Sequence, residues 1–357
     1  MTKRDDLLAA TRRASEVINS YNVRERIADG YTRIDPALIA SEADVTVIYR
    51  PFERILGAFI REDGASGIIV NVARPRGLVH MTCAHELGHY FLGHESVADE
   101  TVEYSATSRL IEQQADHFAY SLLAPRWLVV ATMRMKGWNR SDLETPFVVY
   151  QLSLRLGISF TAMVWSLVRL QLLSDDTAER VAKCTPKRLK QEALNGLDLT
   201  DARSDVWVLD ASDRDRILEP GYGDQFVIDL PNHAGSGHLW SGEALESEGF
   251  TLRPFVHDAR RTPRSEQDKH VIVGGDGAKM RYVLHPPESV RERGQTSYSD
   301  VLSSCKRHTI SLQETIPWLS KQELSDRLSL NAEFDAITDG FSHPERERRL
   351  AAVREIQ

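Results

Sequence analysis

An α+β fold is predicted: a mostly helical first half carrying a small antiparallel sheet, then an all-β domain and a helical tail. Two changes of texture along the chain predict it. Three short β-rich runs give way to nearly continuous helical periodicity up to residue 174, and β-rich runs return after residue 203. The expected division is 1–174, a linker at 175–203, a β-sandwich domain at 204–320 and a helical tail at 321–357.

In order, Leu7, Leu8, Ala14, Val17, Ile18 and Ile27 fit amphipathic helix broken near Asn19–Asn22. Val45–Tyr49, Ile55–Ile60 and Gly67–Val72 read as strands, separated by turn chemistry that suggests successive antiparallel pairing. From Leu78 to about Ser174 the chain reads as helix, with breaks near Gly93, Pro125 and Gly137. Residues 175–203 are polar, with a basic cluster at Lys183, Lys187, Arg188 and Lys190, and contain Asn195-Gly196, hence the linker. Val206–Leu209, Gln225–Leu230, Phe250–Val256, His270–Val273 and Met280–Leu284 are the later strands, and Lys321–Gln357 reads as charged helix interrupted at Gly340 and Pro344.

The 357 residues hold 44 basic and 52 acidic side chains, a formal charge of −8 that is concentrated in the second half. A chain that grips DNA unaided offers a basic face, so direct nucleic-acid binding is not expected. No stretch approaches the roughly 20 apolar residues of a membrane span, and no apolar core follows the first charges as in a secretion signal. Cys83, Cys184 and Cys305 form no pair motif. Free thiols and a cytoplasmic location are expected.

The chemistry concentrates at His85, Glu86 and His89, an HExxH pattern in an apolar setting after a β-rich run. Two imidazoles at i and i+4 on a helix reach one ion, while Glu86, about 100° around the helix, is free to take a proton from metal-bound water. A catalytic zinc needs a third protein ligand and an open position. Glu112 is the candidate, in a second helical run with Ala115, Ala119 and Leu122 on one side. Asp116, one turn on, is placed to accept from the far nitrogen of a ligand histidine. His80, His94 and His117 read as surface or supporting residues. Tyr90, Tyr120 and His117 stay open between packing and contacts to an oxyanion or substrate. Cys83 reads as a small buried residue.

Thr82–His89, Glu112–Ala119 and Leu122–Pro125 together resemble the ImmA/IrrE family of bacterial and phage metallopeptidases, over about residues 40–175. Asp116 stands where that family usually has Asn, and either side chain accepts the same hydrogen bond. The resemblance implies a zincin-like domain, zinc on His85, His89 and Glu112, Glu86 as general base, and cleavage of a helix-turn-helix repressor. The rival is a non-catalytic regulator that binds such a partner.

Residues 145–174 have the layout of a helix-turn-helix, but Phe160, Met163, Val164, Trp165, Leu167 and Val168 leave the second helix few groups for base edges, so burial is expected. Gly223–Trp240 and Val271–Leu284 resemble the chagasin-type immunoglobulin-like domains, which present loops to cysteine peptidases. Here His238 replaces a loop tyrosine, which favours partner recognition over peptidase inhibition. Gly274–Gly277 reads as a hairpin turn.

Overall fold

The computed structural model describes residues 3–62, 64–95, 106–194, 201, 203–254, 279–287, 307–319, 326–334 and 337–356. They belong to two compact units. One is built on Met1–Leu189 with Asp335–Gln357, the other on Lys190–Thr296 with Cys305–Phe334.

In the first unit, α1 (Lys3–Ser20) buries Ala10, Ala14, Val17 and Ile18, a stripe at helical spacing that packs on the later helices. After α2 (Val23–Ala28), α3 (Pro36–Glu42) starts where the Asp35 carboxylate accepts from the Ala37 and Leu38 N–H groups and Pro36 occupies the first turn. The strands β1 (Val45–Arg50), β2 (Gly57–Glu62) and β3 (Ala65–Asn71) follow, but the sheet is mixed rather than antiparallel. β2 and β3 form a hairpin, whereas β3 lies parallel to β1 between it and β2. The reason is Asn71, 1% exposed. Its side chain donates to the Phe52 and Ile55 carbonyls and accepts from the Phe52 N–H, satisfying a loop at 51–56 that carries the chain past β3 instead of folding it back on β1.

Helices α4 (Arg76–Leu92), α5 (Ala106–Leu123), α6 (Arg126–Met135), α7 (Pro146–Leu156) and α8 (Phe160–Arg169) come next. α7 and α8 bend by 98° across Gly157, whose φ of 69° ends α7. As expected, α8 buries Phe160, Met163, Val164 and Leu167. A Cβ on Gly77 would fall 2.5 Å from the Ser159 N, so the start of α4 lies directly against the turn between these helices.

The expected linker is largely helix. Ser174 caps α9 (Asp175–Ala182) by accepting from the Thr177 N–H, and α10 (Pro186–Leu194) follows. Ala178, Val181 and Leu189 join the core of the first unit, while Lys183, Lys187 and Arg188 stay exposed and Lys190 is buried with its ammonium 3.1 Å from Asp205 Oδ1. Asn195-Gly196 lies outside the described residues.

The second unit holds β4 (Val206–Leu209), β5 (Ile217–Leu218), β6 (Gln225–Pro231), β7 (Leu239–Ser241), a short α11 (Glu243–Ser247), β8 (Thr251–Pro254), β9 (Lys279–His285), β10 (Arg307–Thr315) and β11 (Asp326–Glu333). They form two four-stranded sheets, β4-β6-β9-β8 and β5-β11-β10-β7. Each contains one parallel pair, β4 with β6 and β5 with β11. Phe226 on β6 meets Phe334 beyond β11 at 6.1 Å, and the Trp240 indole on β7 donates to the Pro231 carbonyl. Cys305, Phe255–Val256, His270–Val273 and Gly274–Gly277 lie outside the described residues.

The expected helical tail is corrected in two places. Leu328, Leu330 and Ala332 are buried at every second position, so Asp326–Glu333 is strand, its period of two hidden among charges. The chain then returns to the first unit, where β12 (Gly340–Phe341) pairs antiparallel with β1 and α12 (His343–Ile356) packs on α3. Arg50 pairs with Asp339 and Arg348 with Asp44, and α12 buries Glu345 beneath Arg348 and Arg349. Deleting residues 335–357 is expected to lower the thermal unfolding midpoint of the first unit by about 5 °C or more. An unchanged midpoint in calorimetry would show that β12 and α12 add nothing to it.

Candidate metal centre

The HExxH residues lie in the middle of α4, and Glu112 and Asp116 one turn apart on α5. What brings the two helices together is the absence of a side chain at Gly88. A Cβ there would sit 3.2 Å from the Ala115 carbonyl oxygen and 3.3 Å from its Cα, tighter than nearly all real Cβ contacts. The contact is backed by Phe91 stacking on Phe118 at 5.8 Å.

With the helices this close, His85 Nε2 lies 3.1 Å from His89 Nε2 and 3.1 Å from Glu112 Oε2, and His89 Nε2 lies 3.6 Å from Glu112 Oε1. Bonds of about 2.0–2.1 Å at a tetrahedral centre hold their donors about 3.3 Å apart, so the three groups fit a small tetrahedral cation. Among the described residues this trio is the one group of three His, Cys or acidic side chains with its donor atoms within 4.8 Å of one another. The His89 side chain is 6% exposed and that of Glu112 54%, so the centre is walled on the imidazole side and open on the carboxylate side.

Each imidazole is held from behind. His85 Nδ1 donates to Asp116 Oδ1 at 3.0 Å, the role foreseen for that carboxylate. His89 Nδ1 faces His94 Nδ1 at 3.0 Å, and His94 Nε2 faces Gln114 Oε1 at 3.2 Å. One proton arrangement satisfies this chain with both ligand nitrogens bare: His89 Nδ1–H donates to His94 Nδ1, and His94 Nε2–H to Gln114 Oε1. Gly93, at φ 72°, ends α4 and turns His94 back so that its N–H bonds the His89 carbonyl. Helical spacing does not put i and i+5 on one face. The readable signal was the glycine cap before a histidine.

The charges follow from this crowding. Burial disfavours protonated His85, but hydrogen bonds to Asp116 and Glu112 and the nearby carboxylate charges outweigh it and raise its pKa to about 10. Burial and the His85 charge push His89 down to about 4. Two imidazole nitrogens 3.1 Å apart hold one proton between them, and a cation on the same donors replaces it. The hydrogen bond from His85 holds the Glu112 carboxyl below its ordinary value. Glu86, buried, is pushed up to about 7 by desolvation and the Glu112 charge, against His85 and the Phe59 N–H of β2, which donates to it. β2 comes this close because residue 57 is glycine: a Cβ there would fall 2.5 Å from Thr82 Cγ2 and 3.0 Å from Glu86 Oε1. Neither Gly57 nor the Phe59 N–H was legible in the sequence.

The remaining candidates lie elsewhere. His80 is buried against Arg33 and the Gly157 carbonyl. The Tyr90 hydroxyl donates to the Ala43 carbonyl, with its ring edge-on to Phe59. Tyr120 is two turns along α5 from Glu112, with the Arg169 guanidinium 3.5 Å over its ring. His117, beside Asp116, has its pKa lowered by burial and by Arg169. Burial pushes the Cys83 thiol well up, in keeping with a small packed residue.

Both helices of this centre lie within one recognisable segment. Residues 40–153 match the Peptidase_M78 family, the IrrE N-terminal-like domain. The match takes in the sheet strands β1 to β3 and the chain through most of α7, so the IrrE-like segment contains every group of the candidate metal centre. No curated protein matches the chain significantly. Among solved structures, a cysteine protease inhibitor from Entamoeba histolytica is similar at 16% identity and a TM-score of 0.24, over 36% of this chain and 94% of that one. At that score it assigns neither fold nor function here.

Two outcomes follow for the IrrE-like segment. His94→Ala or Gln114→Ala is expected to weaken metal binding about 10-fold or more in chelator competition while the helices stay folded. Unchanged affinity in both would remove the chain behind His89 from the centre. Gly88→Ala should also weaken metal binding, by prising α5 from α4, and metal titration of that variant with the wild-type constant would show that the close approach is not needed.

Proposed function

We propose that the chain is a zinc-dependent endopeptidase that cuts a protein partner, a helix-turn-helix repressor, in a cytoplasmic regulatory switch. The observation that carries the peptidase reading is the convergence of His85, His89 and Glu112 at tetrahedral spacing with Glu86 alongside, inside a segment that matches a peptidase family. Zinc is the reading of the metal because two imidazoles and one carboxylate with an open side are a donor set it takes at catalytic sites. The repressor is supported by the ImmA/IrrE resemblance, and the cytoplasm by the free thiols of Cys83 and Cys184.

Zinc bound there supplies Lewis acidity, polarising a peptide carbonyl and bringing water close to ionisation at neutral pH. The chain's own part is proton handling. Glu86 takes a proton from the attacking water on one carboxylate oxygen and returns it to the departing amine nitrogen. The Phe59 N–H and the space left by Gly57 hold that carboxylate in place, so little reorientation is needed when the proton moves. Asp116 and His94 keep the two imidazoles in the tautomers that leave Nε2 free.

Purified protein is expected to carry about one zinc per chain, lost in His85→Ala and Glu112→Ala. Glu86→Gln should keep zinc and partner binding yet cut at least about 100-fold more slowly, the usual order for losing a general base. Cleavage of a repressor encoded beside this gene, resolved on gels with zinc measured in parallel, checks this. Equal rates would remove Glu86 from the mechanism, and no cleavage with zinc in place would favour the non-catalytic regulator.

A further inference from the structure

Away from the metal ligands, α1, α2, α5, α6 and α8 of the first unit line a cavity of ≈ 740 Å³. Sites for small organic molecules fall in the range of about 300–1,000 Å³. Its charge is one-sided. Arg24, Arg126, Arg134 and Arg169 line it, with no Asp or Glu among the lining residues. No carboxylate pairs with any of the four among the described residues, whereas Arg13, Arg50, Arg180 and Arg348 in the same unit have acidic partners.

Two of the guanidiniums sit over aromatic rings. Arg24 lies 4.5 Å over the Trp127 ring and Arg169 3.5 Å over that of Tyr120. A ring contact ties no N–H group of the guanidinium to a carboxylate, and those N–H groups form a fork that matches the oxygens of phosphate or carboxylate. Arg126 spends one N–H on the Leu170 carbonyl at 3.5 Å, and all four arginines are exposed. Between the arginines the lining combines the apolar Ile18, Val130 and Leu170 with the polar Asn19, Ser121 and Ser166. Four like charges around one concavity repel each other and focus a positive potential into it, which a multiply charged anion relieves. An inorganic ion is far too small to fill this volume or to cover its apolar wall.

We propose that this cavity is a binding site for a multiply charged organic anion of nucleotide size, its phosphate or carboxylate groups held by Arg24, Arg134 and Arg169 and its body on the apolar wall. The site is distinct from the proposed peptidase chemistry and stands or falls without it.

The test is calorimetric titration of the full chain at physiological salt with four probes: ATP, citrate, pyrophosphate and an acidic decapeptide. The expected result is one saturable ATP or citrate site per chain, tighter than for pyrophosphate, with the ATP-to-citrate preference telling phosphate from carboxylate. Arg134→Ala should weaken it about 10-fold, the scale of one charge-assisted hydrogen bond, and Arg24→Ala with Arg134→Ala further still. Because Arg134 is exposed, its replacement leaves packing intact, and an unchanged zinc content confirms that the metal centre is undisturbed. No saturable heat from ATP or citrate at about 1 mM, the weak end of specific binding, overturns the proposal. So do equal affinities in wild type and both variants, or binding of the acidic peptide alone.

Discussion

Everything at the candidate metal centre depends on how closely α4 and α5 approach. Glycine costs a helix about 1 kcal/mol relative to alanine, yet Gly88 stands in the middle of α4. The loss is offset by what it permits: the Ala115 backbone comes within reach, and Glu112 and Asp116 arrive on either side of His85. A side chain at residue 88 would push the Ala115 backbone back by a few tenths of an ångström, and Glu112 and Asp116 move with it. A second glycine acts in the same way on the other flank. Gly57 admits β2 so closely that a backbone N–H reaches the Glu86 carboxylate.

The support behind the ligands is asymmetric. His85 leans on a carboxylate, which favours a protonated Nδ1 by charge, whereas His89 leans on a neutral chain of His94 and Gln114. Two anionic supports beside Glu86 and Glu112 would place four carboxylates around one cation and push Glu86 further up than burial already does. A neutral relay orients the second imidazole without adding charge.

The first unit closes on itself late in the chain. Its sheet gains β12 from beyond the second unit, and α12 returns to α3 with ion pairs at Asp44 and Glu345. The second unit is therefore an insertion between two parts of the first in chain order, rather than an appended domain. Truncating after the helical region removes an edge strand along with the β unit.

The sequence alone determined what is local. The i and i+4 histidines, the displaced Glu86, the turn spacing of Glu112 and Asp116 and the apolar second helix at 160–169 all follow from a period of 3.6 residues, and all stand where that period puts them. The three short strands ahead of α4 also lie near the β-rich runs read from the sequence. Tertiary structure decided what rests on contacts between distant residues. The parallel β1–β3 pairing depends on Asn71 satisfying a loop about 20 residues upstream, and the strand at 326–333 on a partner strand. The burial of α9 depends on a core its polar composition does not advertise. His94 behind His89, Gly57 beneath Glu86 and the four arginines around one cavity come from segments whose meeting no periodicity encodes. Periodicity specifies which face a residue occupies, and only packing specifies what that face meets.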